Sequence, residues 1–125
     1  LKIQKEIDTT GLEVSDEEIF TVIIEGKEFG DQYTLNVQPG VEYTLSDLKY
    51  QDYEIREIVP MFYKLTKIKF GDDTIDYSNG DTGPAIITLD ESSNNEKVVI
   101  TNKKFKEMYF YNTSEKENLL NTKTD

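Results

Sequence analysis

Apolar and polar residues alternate with a period of two along most of the chain, and no stretch has the 3.6-residue apolar periodicity of an amphipathic helix. Turn sequences rich in Gly, Pro, Asn and Asp separate the alternating segments at intervals of about 8–12 residues. This pattern predicts an all-β chain folded as an antiparallel β-sandwich of about seven or eight short strands. The predicted strands cover residues 1–7, 20–24, 33–37, 41–45, 53–59, 65–70, 85–89 and 98–102.

Composition excludes several classes of function. The 125 residues suit one domain, and 14 Lys and Arg against 25 Asp and Glu give a net charge of −11. This balance argues against binding to nucleic acid or to an anionic membrane surface, since both require basic groups. Because the chain has no His and no Cys, it has no Ser-His or Cys-His catalytic pair, no His-based metal site and no disulfide. No cofactor is expected.

Three polar residues stand where the alternation calls for apolar ones. Lys5 shares a strand face with Ile3 and Ile7, Glu57 lies in register with Tyr53 and Ile55, and Asn102 lies in register with Val98 and Ile100. Each side chain should therefore point into the core, where an unpaired charge is costly.

Three explanations are open for these residues. Taken singly, each can lie at a strand end and reach water or begin a turn. Taken together, Lys5 and Glu57 can form a buried ion pair beside Asn102. The third explanation is chemical: burial lowers the pKa of the amine and raises that of the acid, so the neutral forms become populated. A neutral Lys5 amine can then attack the Asn102 carboxamide while Glu57 moves the protons.

The motifs around these residues resemble those of a Cna B-type domain, the prealbumin-like sandwich of Gram-positive surface adhesins and pilins. The resemblance covers about residues 1–104. It lies in Ile3-Gln4-Lys5-Glu6-Ile7, in Tyr53-Glu54-Ile55-Arg56-Glu57 with Pro60 following, and in Val98-Val99-Ile100-Thr101-Asn102-Lys103. It implies a Lys5–Asn102 isopeptide bond promoted by Glu57, formed once per chain without turnover. The usual Gly before the Glu strand is replaced by Gln51-Asp52.

The C-terminal part gives a second candidate acceptor. Asn112 follows Met108 and Phe110 in alternation, but Asn102 is favoured because its flanking residues fit the family and its strand is richer in β-branched residues. We expect residues 1–104 to form the sandwich, and residues 105–125 to add a strand and a linker to a following module. The chain is expected to be one module of a longer protein.

Two other kinds of site have weaker support. Asp72, Asp73 and Asp76 lie in an acidic loop that could supply oxygen ligands to calcium, but their spacing does not match an EF-hand. A glycosidase needs two carboxylates at a defined separation, and nothing in the sequence selects such a pair.

The resemblance implies a non-enzymatic stalk module of an extracellular, cell-wall-anchored adhesin or pilus and, with it, a virulence role. Its expected partners are the neighbouring modules of the same surface protein, without membrane contact or nucleic acid. The alternative is a sandwich that binds a host protein or glycan through its loops.

Overall fold

The computed structural model describes residues 1–9, 18–79 and 83–105, and these residues form two β-sheets and no helix. The predicted all-β sandwich is confirmed. The described ranges contain nine strands, which are β1 (Lys2–Asp8), β2 (Phe20–Gly26), β3 (Gln32–Val37), β4 (Glu42–Thr44), β5 (Gln51–Ile58), β6 (Tyr63–Phe70), β7 (Asp73–Asp76), β8 (Ala85–Leu89) and β9 (Lys97–Lys104). Across these ranges no helix is long and apolar enough to cross a membrane.

The sheets contain five and four strands, in the orders β4-β1-β9-β6-β7 and β3-β2-β5-β8. Neighbouring strands in these sheets are antiparallel, with one exception. β1 and β9 run parallel, and residues 2–8 of β1 pair with residues 97–103 of β9. The first and last of the described strands therefore lie side by side in the middle of the larger sheet. A parallel pair between strands so distant in sequence needs the rest of the domain as its connection.

The core lies between the two sheets, where the alternating residues point. The inward positions of β1, β2, β5 and β9 are apolar and almost fully buried, apart from the polar residues described below, and they include Ile3, Phe20, Tyr53, Ile55 and Ile100. Each buried apolar side chain of this size stabilises the fold by about 1.5–3 kcal/mol. The alternation thus fixes the register, since a shift by one residue would exchange the two faces of a strand.

One strand was missed by the sequence pattern. Residues 71–76 were expected to belong to a loop, but Asp73–Asp76 form β7, which pairs with residues 67–70 of β6. Gly71 adopts a positive φ of 59°, so the chain can reverse tightly between the two strands. A four-residue polar segment at a sheet edge has too few apolar residues to show alternation.

Gln51 lies where the Cna B-type motif has a glycine before the Glu strand, and its side chain binds the loop between β2 and β3. Its side-chain Oε1 accepts hydrogen bonds from the backbone N–H groups of Glu28 (2.9 Å) and Phe29 (3.0 Å), and its Nε2 donates to Asp31 Oδ1 (2.9 Å). Gln51 is almost completely buried. A polar residue at the start of the Glu57 strand thereby ties that strand to the neighbouring hairpin.

Replacing Gln51 by Ala is expected to destabilise the domain by about 1–3 kcal/mol, because two backbone N–H groups and one carboxylate oxygen lose their partner. Urea unfolding measures the change. Gln32→Ala is the matched control, since Gln32 is exposed on an edge strand, and it should change stability by less than about 0.5 kcal/mol. Equal losses in both variants would contradict the role given to Gln51.

Candidate functional site

Three strands bring the predicted polar residues together in the core. Lys5 on β1 and Asn102 on β9 are neighbours in the larger sheet, because Lys5 pairs with Ile100 and Ile7 pairs with Asn102. Glu57 reaches them from β5 of the opposite sheet. The side chains therefore meet between the two layers, although 45 residues separate Glu57 from Asn102 in sequence.

Glu57 Oε2 is the centre of the cluster. It lies 3.0 Å from Lys5 Nζ and accepts a hydrogen bond of 2.8 Å from Asn102 Nδ2. The side chains of Lys5 and Glu57 have no exposed surface, and Asn102 is likewise completely buried. This arrangement rules out the explanation that each residue reaches water singly. A buried ion pair and a reactive cluster both remain consistent with it.

The polar atoms of the cluster are incompletely satisfied. Within the described part of the chain, Glu57 Oε1 and Asn102 Oδ1 have no hydrogen-bond partner, and Lys5 Nζ has no acceptor other than Glu57. A partly satisfied polar group in a dry core is costly, because its lost contacts with water are not replaced. The cluster is therefore destabilising as long as these atoms keep no further partner.

Burial shifts the pKa values of Lys5 and Glu57 in the directions that the predicted amide-forming reaction requires. Desolvation lowers the pKa of Lys5 from 10.5 to about 8, and the nearby Glu57 carboxylate only partly opposes this change. Desolvation also raises the pKa of Glu57, against the opposing effects of Lys5 and Asn102. The cost of charge separation in the core therefore brings the neutral amine and the neutral acid within reach.

An aromatic pair, which the sequence analysis did not select, lies on one side of the Lys5 amine. The Phe20 ring centroid lies 4.9 Å from Lys5 Nζ, and Tyr63 packs edge-on against Phe20 at a centroid distance of 5.0 Å. These rings exclude water from one side of the cluster. Phe20 follows the apolar alternation of β2 like any core residue, so only its position in three dimensions identifies it.

A β-bulge lies next to Asn102. Leu65 pairs with Asn102 and Lys67 pairs with Thr101, so Thr66 is the extra residue of β6. Its hydroxyl donates to the Thr101 carbonyl oxygen (3.0 Å). A bulge bends and twists its strand locally, so this one adjusts the ladder beside the proposed acceptor. No turn residue marks it in the sequence.

The stability of an unlinked variant is expected to rise with pH in a defined window. In Asn102→Ala, Lys5 keeps its lowered pKa near 8 in the folded state and about 10.5 when unfolded. The unfolded chain then binds a proton that the folded chain lacks between these values, so stability increases through this range. Between pH 7.5 and pH 10 the gain should be about 2 kcal/mol.

Urea unfolding at the two pH values measures this gain. The matched control is Lys5→Met combined with Asn102→Ala, which lacks the titrating amine but keeps every other charge. Its stability should not increase over this range. A gain of the same size in both variants would assign the effect to other groups.

The other predicted sites do not form in the described part of the chain. Among these residues no group of three or more His, Cys, Asp or Glu could hold a metal ion, so Asp72, Asp73 and Asp76 do not form the suggested calcium site. Asp76 instead accepts a hydrogen bond from the backbone N–H of Ser78 (2.8 Å). Asn112, the alternative acceptor, lies outside the described residues and stays a prediction.

Comparison with known proteins supports the fold. No protein-family model and no curated protein matches the chain. The structure is similar to a bacterial adhesin from Mobiluncus mulieris that contains intramolecular disulfide, isopeptide and ester bond cross-links, with a TM-score of 0.59 and 18% sequence identity. The similarity covers 84% of this chain, which spans 41% of the adhesin chain. The two proteins share a fold.

Proposed function

We propose that this chain is a structural module of a bacterial surface adhesin, locked by an isopeptide bond between Lys5 and Asn102 that Glu57 promotes. The observation that carries the proposal is the buried cluster, in which one carboxylate oxygen contacts both the amine and the carboxamide. The adhesin of similar fold contains an isopeptide cross-link, which supports the proposal.

The first step is a proton transfer within the ion pair. Lys5 gives one ammonium proton to Glu57 Oε2, 3.0 Å away, and the pair of charges becomes a neutral amine and a neutral acid. The dry surroundings favour this transfer, because they penalise the charged forms. The amine then has the free electron pair that a nucleophile needs.

The second step joins the two side chains. A 180° rotation of the Asn102 carboxamide brings Oδ1 to the Glu57 O–H, which polarises the carbonyl. Lys5 Nζ attacks the carboxamide carbon, and Glu57 moves a proton from this nitrogen to Nδ2. The C–Nδ2 bond breaks, ammonia leaves, and a new amide joins Nζ to Cγ. The folded sandwich supplies the positioning that makes this reaction fast enough to occur.

The proposed role is mechanical and its location extracellular, as part of a cell-wall-anchored adhesin or pilus. The module would transmit tension between neighbouring modules of the same protein. Support comes from the position of the two linked strands, which are the first and last of those described and lie side by side. The bond also needs no cysteine and no oxidant.

A second candidate function is ligand binding through the loops. Phe29 and Tyr50 are each more than half exposed in loops at one end of the sandwich, where Lys49 Nζ lies 5.3 Å from the Phe29 ring. Exposed aromatic side chains beside polar loops are suited to contact with a host protein or a glycan. Loss of binding in Phe29→Ala and Tyr50→Ala variants, with the cross-link intact, would favour this function over a purely mechanical one.

Intact mass tests the cross-link directly. The folded chain should be about 17 Da lighter than its sequence, because condensation of the amine with the carboxamide releases ammonia. Lys5→Ala and Asn102→Ala should have their full calculated masses, whereas Asn112→Ala should still lose ammonia. A wild-type mass equal to the calculated value would rule out the bond. Loss of ammonia in Asn102→Ala but not in Asn112→Ala would make Asn112 the acceptor.

A further inference from the structure

A largely apolar groove opens between the two sheets, where β5 faces β6. It has a volume of about 470 Å³, and β5 and β6 form its two walls. Its apolar lining residues are Ile55, Val59, Tyr63, Leu65, Ile68, Tyr77 and Pro84, and its charged lining residues are Glu54, Arg56, Glu57 and Lys64. The groove therefore suits side chains that combine an apolar ring with a polar tip.

Exposed apolar residues continue from the groove along the connection between β5 and β6. Ile58 is 59% exposed, Val59 is 40% exposed and Met61 is 76% exposed. We call these three residues the β5–β6 rim. Val59 belongs to both the rim and the groove, so the two form one continuous apolar surface. A continuous exposed apolar surface is typical of a site where another segment or molecule packs.

The described chain ends beside this surface. Lys104 pairs with Tyr63, and the backbone N–H of Phe105 donates to the carbonyl oxygen of Phe62 (2.8 Å). Phe62 is adjacent in sequence to Met61 of the rim and to Tyr63 of the groove. Phe105, the last described residue, therefore contacts a residue that adjoins both the rim and the groove.

The sequence that follows has the composition that the groove accepts. Residues 108–111 read Met-Tyr-Phe-Tyr, which is an uninterrupted run of large apolar and aromatic side chains in an otherwise acidic chain. An extended chain advances about 3.3 Å per residue, so Phe110 can lie up to about 16 Å from Phe105. This reach is about three times the spacing between neighbouring strands, and the groove begins at Tyr63, the residue next to Phe62.

We propose that Met108–Tyr111 covers the β5–β6 rim and places aromatic side chains in the groove between β5 and β6. The occupant is a segment of the same chain, because Phe105 is already held at Phe62, only three residues before Met108. The tyrosines suit the mouth, where Arg56 and Lys64 can meet a hydroxyl group. This inference does not require the isopeptide bond, although Glu57 belongs both to the groove lining and to the buried cluster.

Paired cysteines test this placement, since the natural chain contains none. In the full chain, Val59→Cys with Phe110→Cys should form an intramolecular disulfide on mild oxidation. The matched control is Thr34→Cys with Phe110→Cys, because Thr34 is exposed on β3, the edge strand that lies two strands away from β5 in the four-stranded sheet. A docked segment should close the first pair roughly tenfold faster or more, through its higher effective concentration. Peptide mapping under non-reducing conditions identifies the bonds.

Two outcomes would overturn the proposal. Equal closure rates in the two pairs would mean that residues 108–111 have no preferred place, and disulfide-linked dimers as the main product would assign the groove to a second copy. The same pair measured in Asn102→Ala should close at the same rate, because docking does not require the cross-link. The disulfide test can therefore fail while the mass test of the cross-link succeeds, and the reverse is also possible.

A fluorescence measurement gives an independent check. The chain has no Trp, so Phe110→Trp introduces a single indole. Its emission should be blue-shifted and protected from acrylamide quenching, compared with Leu119→Trp in the more distal part of the same segment. Identical spectra and quenching in the two variants would contradict burial of position 110.

Discussion

When the folded chain is pulled from its two ends in a single-molecule experiment, residues 6–101 are expected not to extend. Tension enters at β1 and leaves at β9, and the proposed Lys5–Asn102 bond joins these strands directly. The force then passes through covalent bonds and bypasses the intervening domain. Without the bond, only non-covalent contacts resist the load, among them the seven residue pairs between β1 and β9. The force at which the domain extends then depends on its unfolding rate.

Lys5→Ala should restore the missing extension. The 96 residues from 6 to 101 correspond to roughly 300 Å of contour length, which is readily resolved in such an experiment. Asn102→Ala is a second unlinked variant that keeps the lysine, so agreement between the two variants assigns the effect to the bond. Release of the full contour length by the wild-type chain at forces typical of ordinary domains would remove the physical basis of a stalk function.

Glu57→Ala should produce the largest loss of thermodynamic stability. The variant cannot move the protons, so it should keep its full mass and lose the cross-link, which is worth about 4–5 kcal/mol for a loop of nearly 100 residues. It also leaves the Lys5 amine buried without Glu57, its one acceptor among the described residues, which costs roughly 3–5 kcal/mol more. Together these losses approach the whole stability of a typical domain.

A double variant separates the two contributions. Lys5→Met with Glu57→Ala also lacks the cross-link but buries no unpaired amine, so it should be more stable than Glu57→Ala alone by roughly 3–5 kcal/mol. Denaturant unfolding, with intact mass measured on the same samples, provides both values. Equal stability of the single and double variants would show that the unpaired Lys5 amine does not destabilise Glu57→Ala. Loss of ammonia in Glu57→Ala would contradict the role given to Glu57.

The alternation of apolar residues was sufficient to predict the sandwich and the inward direction of Lys5, Glu57 and Asn102. Side chains on a strand alternate strictly, so a polar residue in apolar register must point to the core whatever the topology. The predicted segment 85–89 coincides with β8, and most of the other strands were located to within about two residues.

Features that depend on contacts distant in sequence were not predictable from the pattern. The short edge strand β7 has no apolar alternation, and its formation depends on pairing with β6. The parallel pairing of β1 with β9 is a property of topology, and Phe20 looks like any core residue until its ring is found beside Lys5. The meeting of the three polar groups could be predicted, whereas the residues that surround them could not.

The three groups of the proposed cross-link belong to the first, fifth and last of the described strands, and this order would determine when the bond can form. During synthesis Lys5 and Glu57 emerge long before Asn102, so the chain remains a linear thread until nearly the whole domain has been made. Such a thread can pass a narrow channel that a closed covalent loop could not enter. A copy that folds incorrectly never aligns the three groups and stays open to proteases. The proposed bond would thus form only in correctly folded molecules, irreversibly and without an external enzyme.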